Sequence, residues 1–183
     1  SHCRAEGKSI ICSIASIVGV DHVISTLHSD TTSNDEYVRG TTARILAILA
    51  SIDDKGQATR FIHMLCDTPG DLHVYSRLTG LRAISFLAQF SGVKVLPQLS
   101  FFVKECLAPV AAAMSSETPR SKRQSLFAAY NAPDGTHDSR LTIAALAALS
   151  SLAEAVFPHG IETFEFMLPE LYGASRLYRG KAR

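Results

Sequence analysis

The sequence predicts an all-α fold built from stacked helix pairs. Apolar residues recur every three to four positions through most of the 183 residues. No stretch alternates strictly between apolar and polar residues, as a half-buried strand would. The helical segments also come in pairs joined by short turns. With 46% hydrophobic and 19% charged residues, the composition suits one globular unit with a packed core and excludes a disordered chain or a collagen-like fibre.

Three helical segments are expected in the N-terminal third. An isoleucine-rich stripe ends at Gly19, where a helix end is expected. A short apolar run follows at 23–27. Ser33 and Glu36 then form a capping-box pattern, after which apolar residues keep a spacing of about 3.6 as far as Ile52.

The pattern continues through the rest of the chain. A short helix at 61–65 is followed by a turn at 69–71 and by a longer helix that Gly92 closes. One apolar stripe covers 95–110, and residues 141–156 show the most regular helical spacing of all. The partner of this last helix is expected from a further apolar set: Ile161, Phe164, Leu168, Leu171 and Tyr172.

The helix pairs repeat with a period of 38 residues when Arg39 is placed beside Arg77. This length is typical of solenoids of the HEAT or armadillo kind. The next unit would start at Arg140, and the polar segment 115–138 accounts for its late position as a surface insertion. We therefore expect one partial array of about four helix pairs over residues 1–183.

The ends of such an array should expose apolar side chains, because each pair packs against neighbouring pairs. The chain lacks an initiator methionine and is expected to be an excised piece of a longer protein. We expect exposed apolar residues near both ends: Ile10, Ile14, Ile17, Phe164, Leu168 and Leu171.

Catalytic and metal-binding motifs are missing from the sequence. Seven histidines and four cysteines occur without a zinc-protease or CxxC pattern, and neither a P-loop nor a serine-nucleophile motif is present. We expect no enzyme, no metal and no cofactor, and we expect the cysteines to be reduced core thiols. The longest uncharged stretch, 141–153, is shorter than the roughly 20 residues of a membrane span, so no membrane partner is expected.

Arginines mark the most informative positions. Arg39, Arg77 and Arg140 each fall in the first turns of the first helix of a pair, where the helix dipole disfavours a cation by about 0.3–1 kcal/mol. Stacking of equivalent positions should align them on one edge, with Arg82 a turn further along. A net charge of +1 gives no overall attraction to nucleic acid, so any electrostatic site must be local.

Two interpretations of this edge remain open. The arginines could bind a phosphate backbone or an acidic protein segment. Alternatively, they could form an internal ladder with nearby aspartates. Glu36 is either a capping residue or a contact residue, and Thr79 is either a small packing residue or part of the site. The aspartates within reach of such a ladder are Asp35, Asp71 and Asp138.

One run of residues carries a family resemblance. The segment 35–44, DEYVRGTTAR, preceded by VISTL at 23–27, resembles the large HEAT-repeat subunit of splicing factor 3b, part of the U2 small nuclear ribonucleoprotein. Residues 152–155, 158–164 and 178–181 resemble a later segment of the same protein in the same order. The resemblance covers about residues 20–183 apart from the insertion.

This resemblance implies a nuclear, non-enzymatic spliceosomal scaffold that supports recognition of the branch site. Its implied partners are other splicing factor 3b subunits, pre-mRNA near the branch site, and a spliceosomal helicase or other splicing proteins. The alternative is a generic HEAT-repeat adaptor that binds only protein. The residues expected to contact RNA or partners are Glu36, Arg39, Arg77, Thr79, Arg82 and Arg140.

Some positions depart from the family pattern. Arg82 and Arg140 stand where the family has lysines, which keeps the charge. Gly40 replaces an asparagine and Leu78 a histidine, so polar contacts at those two places are not expected here.

Overall fold

The computed structural model describes residues 2–67, 74–117 and 139–165, and these residues form α-helices and 3-10 segments without a β-strand. The all-α prediction is confirmed. Two 3-10 segments lie at Ser29–Thr32 and Gly92–Gln98. The α-helices are α1 His2–Val18, α2 Val20–Leu27, α3 Glu36–Ile52, α4 Gln57–Asp67, α5 Val74–Ser91, α6 Leu99–Glu117, α7 Ser139–Val156 and α8 Ile161–Glu165.

The helices form two layers of a HEAT-like solenoid. The first helices of successive pairs, α1, α3, α5 and α7, lie side by side, each in contact with the next. The second layer contains α2, α4 and α6, which contact one another in that order and also pack on the first layer. The predicted solenoid architecture is confirmed, and it places positions of α3, α5 and α7 next to one another.

The core lies between the two layers. Leu46 on α3, Ile84 on α5 and Leu152 on α7 are all completely buried, as the predicted stripes require. A glycine allows a close approach between the layers. At Gly80 on α5, an added Cβ atom would lie only 2.6 Å from the Sγ atom of Cys66 on α4.

The starts and ends of the helices agree only in part with the sequence signals. Gly19 has a φ of 89° and separates α1 from α2, as expected. The predicted capping box is wrong, because the N-cap of α3 is Asp35, whose carboxylate accepts the N–H of Tyr37 at 2.8 Å. The hydroxyl of Ser33 instead accepts the N–H of Asp35.

Several expected features fall at or beyond the edges of the described ranges. Helix α6 continues to Glu117, so the first residues of the expected insertion are helical. Residues 118–138, the turn at 69–71, and Leu168, Leu171 and Tyr172 lie outside the described residues.

The apolar residues expected to be exposed behave differently at the two ends. Ile10, Ile14 and Ile17 on α1 are 60%, 47% and 83% exposed. Phe164 is buried, which contradicts the expectation, because α8 packs against α7 and adds this ring to the core.

Within the described parts of the chain, two helical stretches are long and apolar enough to cross a membrane by length and composition alone, and the bent pair Glu6–Val18 and Val20–Thr32 would be a third if it formed one span. The two stretches are Val74–Val110 and Ser139–Val156, so the expectation that no stretch reaches this length is wrong. The first stretch is interrupted by the 3-10 segment at Gly92–Gln98. Core residues come from both stretches, including Leu81 and Leu149, and these side chains pack within the solenoid.

Three of the four cysteines, Cys12, Cys66 and Cys106, are free thiols. Cys66 and Cys106 are buried, whereas Cys12 is half-buried. Burial raises the pKa of both buried thiols far above the ordinary range, which keeps them protonated.

Candidate cationic site

A cavity of about 470 Å³ lies between α3, α5 and α7 and brings together four of the six residues expected to form a site. These are Glu36 and Arg39 from α3, Arg82 from α5 and Arg140 from α7. Stacking of the first-layer helices produces this convergence, because neighbouring helices place these residues along one edge. The remaining lining is mostly apolar: Leu78, Ser85, Phe86, Ile143, Ala144 and Ala147.

Arg39 is almost completely buried at the base of this site, with 5% of its surface exposed. Its Nη1 atom donates to the carbonyl oxygen of Ser33. The guanidinium carbon lies 4.3 Å from the centre of the Tyr75 ring on α5. A carbonyl and an aromatic face therefore offset the unfavourable position of this cation near the start of α3.

Tyr75 was not identified from the sequence, although it connects three helices. Its ring lies against Arg39 of α3 and also 5.7 Å from the guanidinium carbon of Arg140 on α7. A signal was present, because Tyr75 precedes Arg77 by two residues as Tyr37 precedes Arg39. A tyrosine two residues before the arginine in both helix pairs predicts that a tyrosine ring stacks on an arginine of the adjacent pair.

Glu36 and Arg82 form an ion pair across the mouth of the cavity. The Oε1 atom of Glu36 and the Nη2 atom of Arg82 are 2.5 Å apart, with the side chains 72% and 32% exposed. The hydrogen bond and charge of Arg82 lower the pKa of Glu36 below its usual value. Glu36 thus pairs with the adjacent unit rather than closing a capping box.

The expected ladder of arginines and aspartates does not form at Arg39, because the partner there is a backbone carbonyl and Asp35 caps α3. Asp71 and Asp138 lie outside the described residues. Arg140 lies in the first turn of α7 and is exposed.

Arg77 and Thr79 do not line the cavity. The charge of Arg77 acts on Cys66 of α4 and Glu105 of α6, so this arginine belongs to the side of α5 that faces the second layer. The 38-residue offset aligned it with Arg39, but it does not join Arg39 in lining the cavity. Thr79 is completely buried, and its hydroxyl oxygen lies 2.9 Å from the carbonyl oxygens of both Thr31 and Tyr75, which share its single proton.

The chemistry of the cavity suits an anion. Three guanidinium groups face one carboxylate, so the lining residues carry a net positive charge. Guanidinium groups recognise phosphate and carboxylate through paired N–H donors. Within 2–67, 74–117 and 139–165, no cluster of three or more histidine, cysteine, aspartate or glutamate residues could hold a metal ion.

The stacked helix pairs define this chain as a HEAT-like solenoid. Its cationic cavity lies between the first-layer helices α3, α5 and α7.

No protein-family model matches the chain. The U2 snRNP component prp10 of Schizosaccharomyces pombe is 31% identical over 183 residues, covering 99% of this chain and 13% of that protein. The U2 snRNP component HSH155 of Saccharomyces cerevisiae is 26% identical over 181 residues, covering 97% of this chain and 16% of that protein.

These relatives confirm the resemblance: the chain is homologous over nearly its whole length to U2 snRNP components and corresponds to a fragment of these larger proteins. It spans less than a fifth of the length of either relative. Both relatives are U2 snRNP components, in agreement with the prediction of a non-enzymatic role.

Proposed function

We propose that this chain is part of a nuclear U2 snRNP scaffold that supports branch-site recognition by binding pre-mRNA and protein partners. It would contribute about four helix pairs, with a surface insertion at 115–138, to a longer array. The proposed partners are pre-mRNA near the branch site, other splicing factor 3b subunits, and a spliceosomal helicase or other splicing proteins.

The cavity between α3, α5 and α7 carries this proposal, because it gathers Arg39, Arg82 and Arg140 around a single carboxylate. A phosphate at the mouth would meet Arg140, which is exposed, and Arg82, which is one-third exposed. Arg39 lies deeper and holds the Tyr75 ring that also supports Arg140. Thr79 fixes α5 to the 3-10 segment before α3 and so positions the cavity without touching a ligand.

Salt-dependent binding of a labelled single-stranded RNA to the 183-residue chain tests the proposal. Phosphate contacts release counterions, so the slope of log K against log salt measures their number. Arg140→Glu should weaken binding and flatten the slope by about 0.7 for each phosphate that no longer binds the protein. Arg60→Glu on α4 makes the same charge change on an exposed residue of the second layer and serves as the control.

Two outcomes contradict the proposal. Equal reductions in affinity for Arg140→Glu and Arg60→Glu would show that only net charge matters. If the chain bound splicing proteins through Arg140 but failed to bind RNA even at low salt, the protein-only adaptor would replace the RNA-binding scaffold.

A further inference from the structure

A second cavity, of about 270 Å³, lies between α1, α3 and α5. It shares Phe86 with the cationic cavity, so both open along the first layer of the solenoid. Its charged lining residues are Lys8 from α1 and Arg44 from α3, and no carboxylate of the described residues lines it. The local charge is therefore positive.

Two aromatic rings and two cations form one wall of this second cavity. Phe86 and Phe90 are one helical turn apart on α5, with ring centres 6.4 Å apart and planes inclined by 17°. The guanidinium carbon of Arg44 lies 4.8 Å from the centre of Phe86, and the Nζ atom of Lys8 lies 5.8 Å from the centre of Phe90. Each ring thus already holds a cation at its face.

The other wall is apolar. Ile11 of α1 is half-buried and Ile48 of α3 is buried, and both line the cavity. The volume is below the range of about 300–1,000 Å³ typical of sites for whole small molecules. It suits a single apolar side chain flanked by groups that meet the two cations.

We propose that this second cavity is a docking site for an acidic peptide segment of a protein partner. One aromatic or large aliphatic side chain of the peptide enters between α1 and α5, and its flanking carboxylates pair with Lys8 and Arg44. Charge complementarity supports this occupant: an arginine over a ring still directs N–H donors at a carboxylate.

Single-stranded RNA fits the cavity less well. Bases bind such sites mainly by stacking on exposed aromatic faces. Here Arg44 and Lys8 stand over the faces of Phe86 and Phe90. The proposal is independent of the RNA contact proposed for the cationic cavity.

Gly7 on α1 allows a direct steric test. It lines the cavity, and a Cβ atom added there would meet nothing within 4 Å. Gly7→Phe should fill the cavity, whereas Gly7→Ala is too small to fill it. Both substitutions favour the helix, because glycine is the less favourable residue in a helix interior.

The experiment measures fluorescence anisotropy with a labelled peptide in which one phenylalanine is flanked on each side by aspartates. Arg44→Glu and Gly7→Phe should each weaken binding to the 183-residue chain by about tenfold or more. Gly7→Ala and Arg140→Glu should leave the affinity within about twofold, because neither removes a group from the cavity. Replacing the peptide phenylalanine with alanine should weaken binding by about tenfold or more.

Other outcomes overturn the proposal. If the alanine peptide bound as well as the phenylalanine peptide, the interaction would be charge attraction without docking. If oligouridylate bound through Arg44 and displaced the peptide, the second cavity would belong to an RNA path. Circular dichroism of each variant shows that it folds, and Arg44→Glu alters an exposed side chain, so the test survives a failure of Gly7→Phe.

Discussion

Gly80→Ala tests the close approach between the two layers at α4 and α5. An alanine Cβ on α5 would lie 2.6 Å from the Sγ atom of Cys66, 3.2 Å from the backbone nitrogen of Cys66 and 3.2 Å from the Cβ atom of Leu65. The thiol can rotate, but Cys66 is buried and its backbone nitrogen belongs to α4. The new methyl group therefore pushes α4 and α5 apart.

The expected effect is the difference between two opposing contributions. Alanine is better than glycine in a helix interior by about 1 kcal/mol. Overpacking a filled core costs about 1–3 kcal/mol. We expect a net decrease of about 1 kcal/mol in the free energy of unfolding, which corresponds to a fall of about 2–4 °C in Tm for a chain of this size.

Urea unfolding of a small set of variants measures this effect. Gly40→Ala on α3 is the control, because a Cβ there meets nothing within 4 Å, and it should be stabilising by up to about 1 kcal/mol. In a Cys66→Ala background, Gly80→Ala should be much less destabilising, giving a coupling energy of about 1 kcal/mol. If Gly80→Ala proved as stabilising as Gly40→Ala, the close approach of α4 and α5 would be refuted.

Two further predictions concern the buried hydroxyl of Thr79 and the half-buried imidazole of His63. Thr79→Val should be destabilising by about 1–3 kcal/mol because it leaves the carbonyl of Thr31 without its donor, whereas Thr79→Ser keeps the hydroxyl. Urea unfolding measures the free energy of unfolding of both variants and of the unaltered chain, and equal values for the three would contradict the prediction. His63 packs against two phenylalanine rings, and burial lowers its pKa from 6.5 to about 4, which an NMR titration should show. As the pH drops from 6.5 towards 4, His63 binds a proton in the unfolded chain but not in the folded one, so the free energy of unfolding should fall over this range. His63→Phe should weaken this dependence of stability on pH, whereas the control His22→Phe, at an exposed position, should not.

The fold was predictable because helical periodicity is a local signal. The stripes of α3, α5 and α7 are long and regular, and their central residues Leu46, Ile84 and Leu152 are all buried. Starts of helices were harder to predict, since Ser33 and Asp35 both carry capping side chains and only the geometry of the chain decides between them. Burial of Phe164 depends on how α8 folds back on α7, which periodicity does not encode.

The site was predictable to the extent that it follows the repeat. Glu36, Arg39, Arg82 and Arg140 converge because α3, α5 and α7 are neighbours in the first layer, although Glu36 and Arg82 are not at positions that the 38-residue offset makes equivalent to Arg39. The sequence offset aligned Arg77 with Arg39 but could not show which layer Arg77 faces, and its charge acts on Cys66 and Glu105 of the second layer. The role of Tyr75 was missed because its contact with an arginine depends on the conformations of long side chains from two units. The spacing of residues in the sequence does not give these conformations.

The contacts of Tyr75 have a mechanical consequence. Arg39 of α3 and Arg140 of α7 both reach its ring on α5, so one edge of three consecutive units is tied at a single point. In a solenoid, a small change of angle between neighbouring units adds up along the array. A ligand that draws Arg140 away from Tyr75 would loosen the packing at that edge and change the pitch of the solenoid. Binding at one cavity would then change the position of repeats far from it.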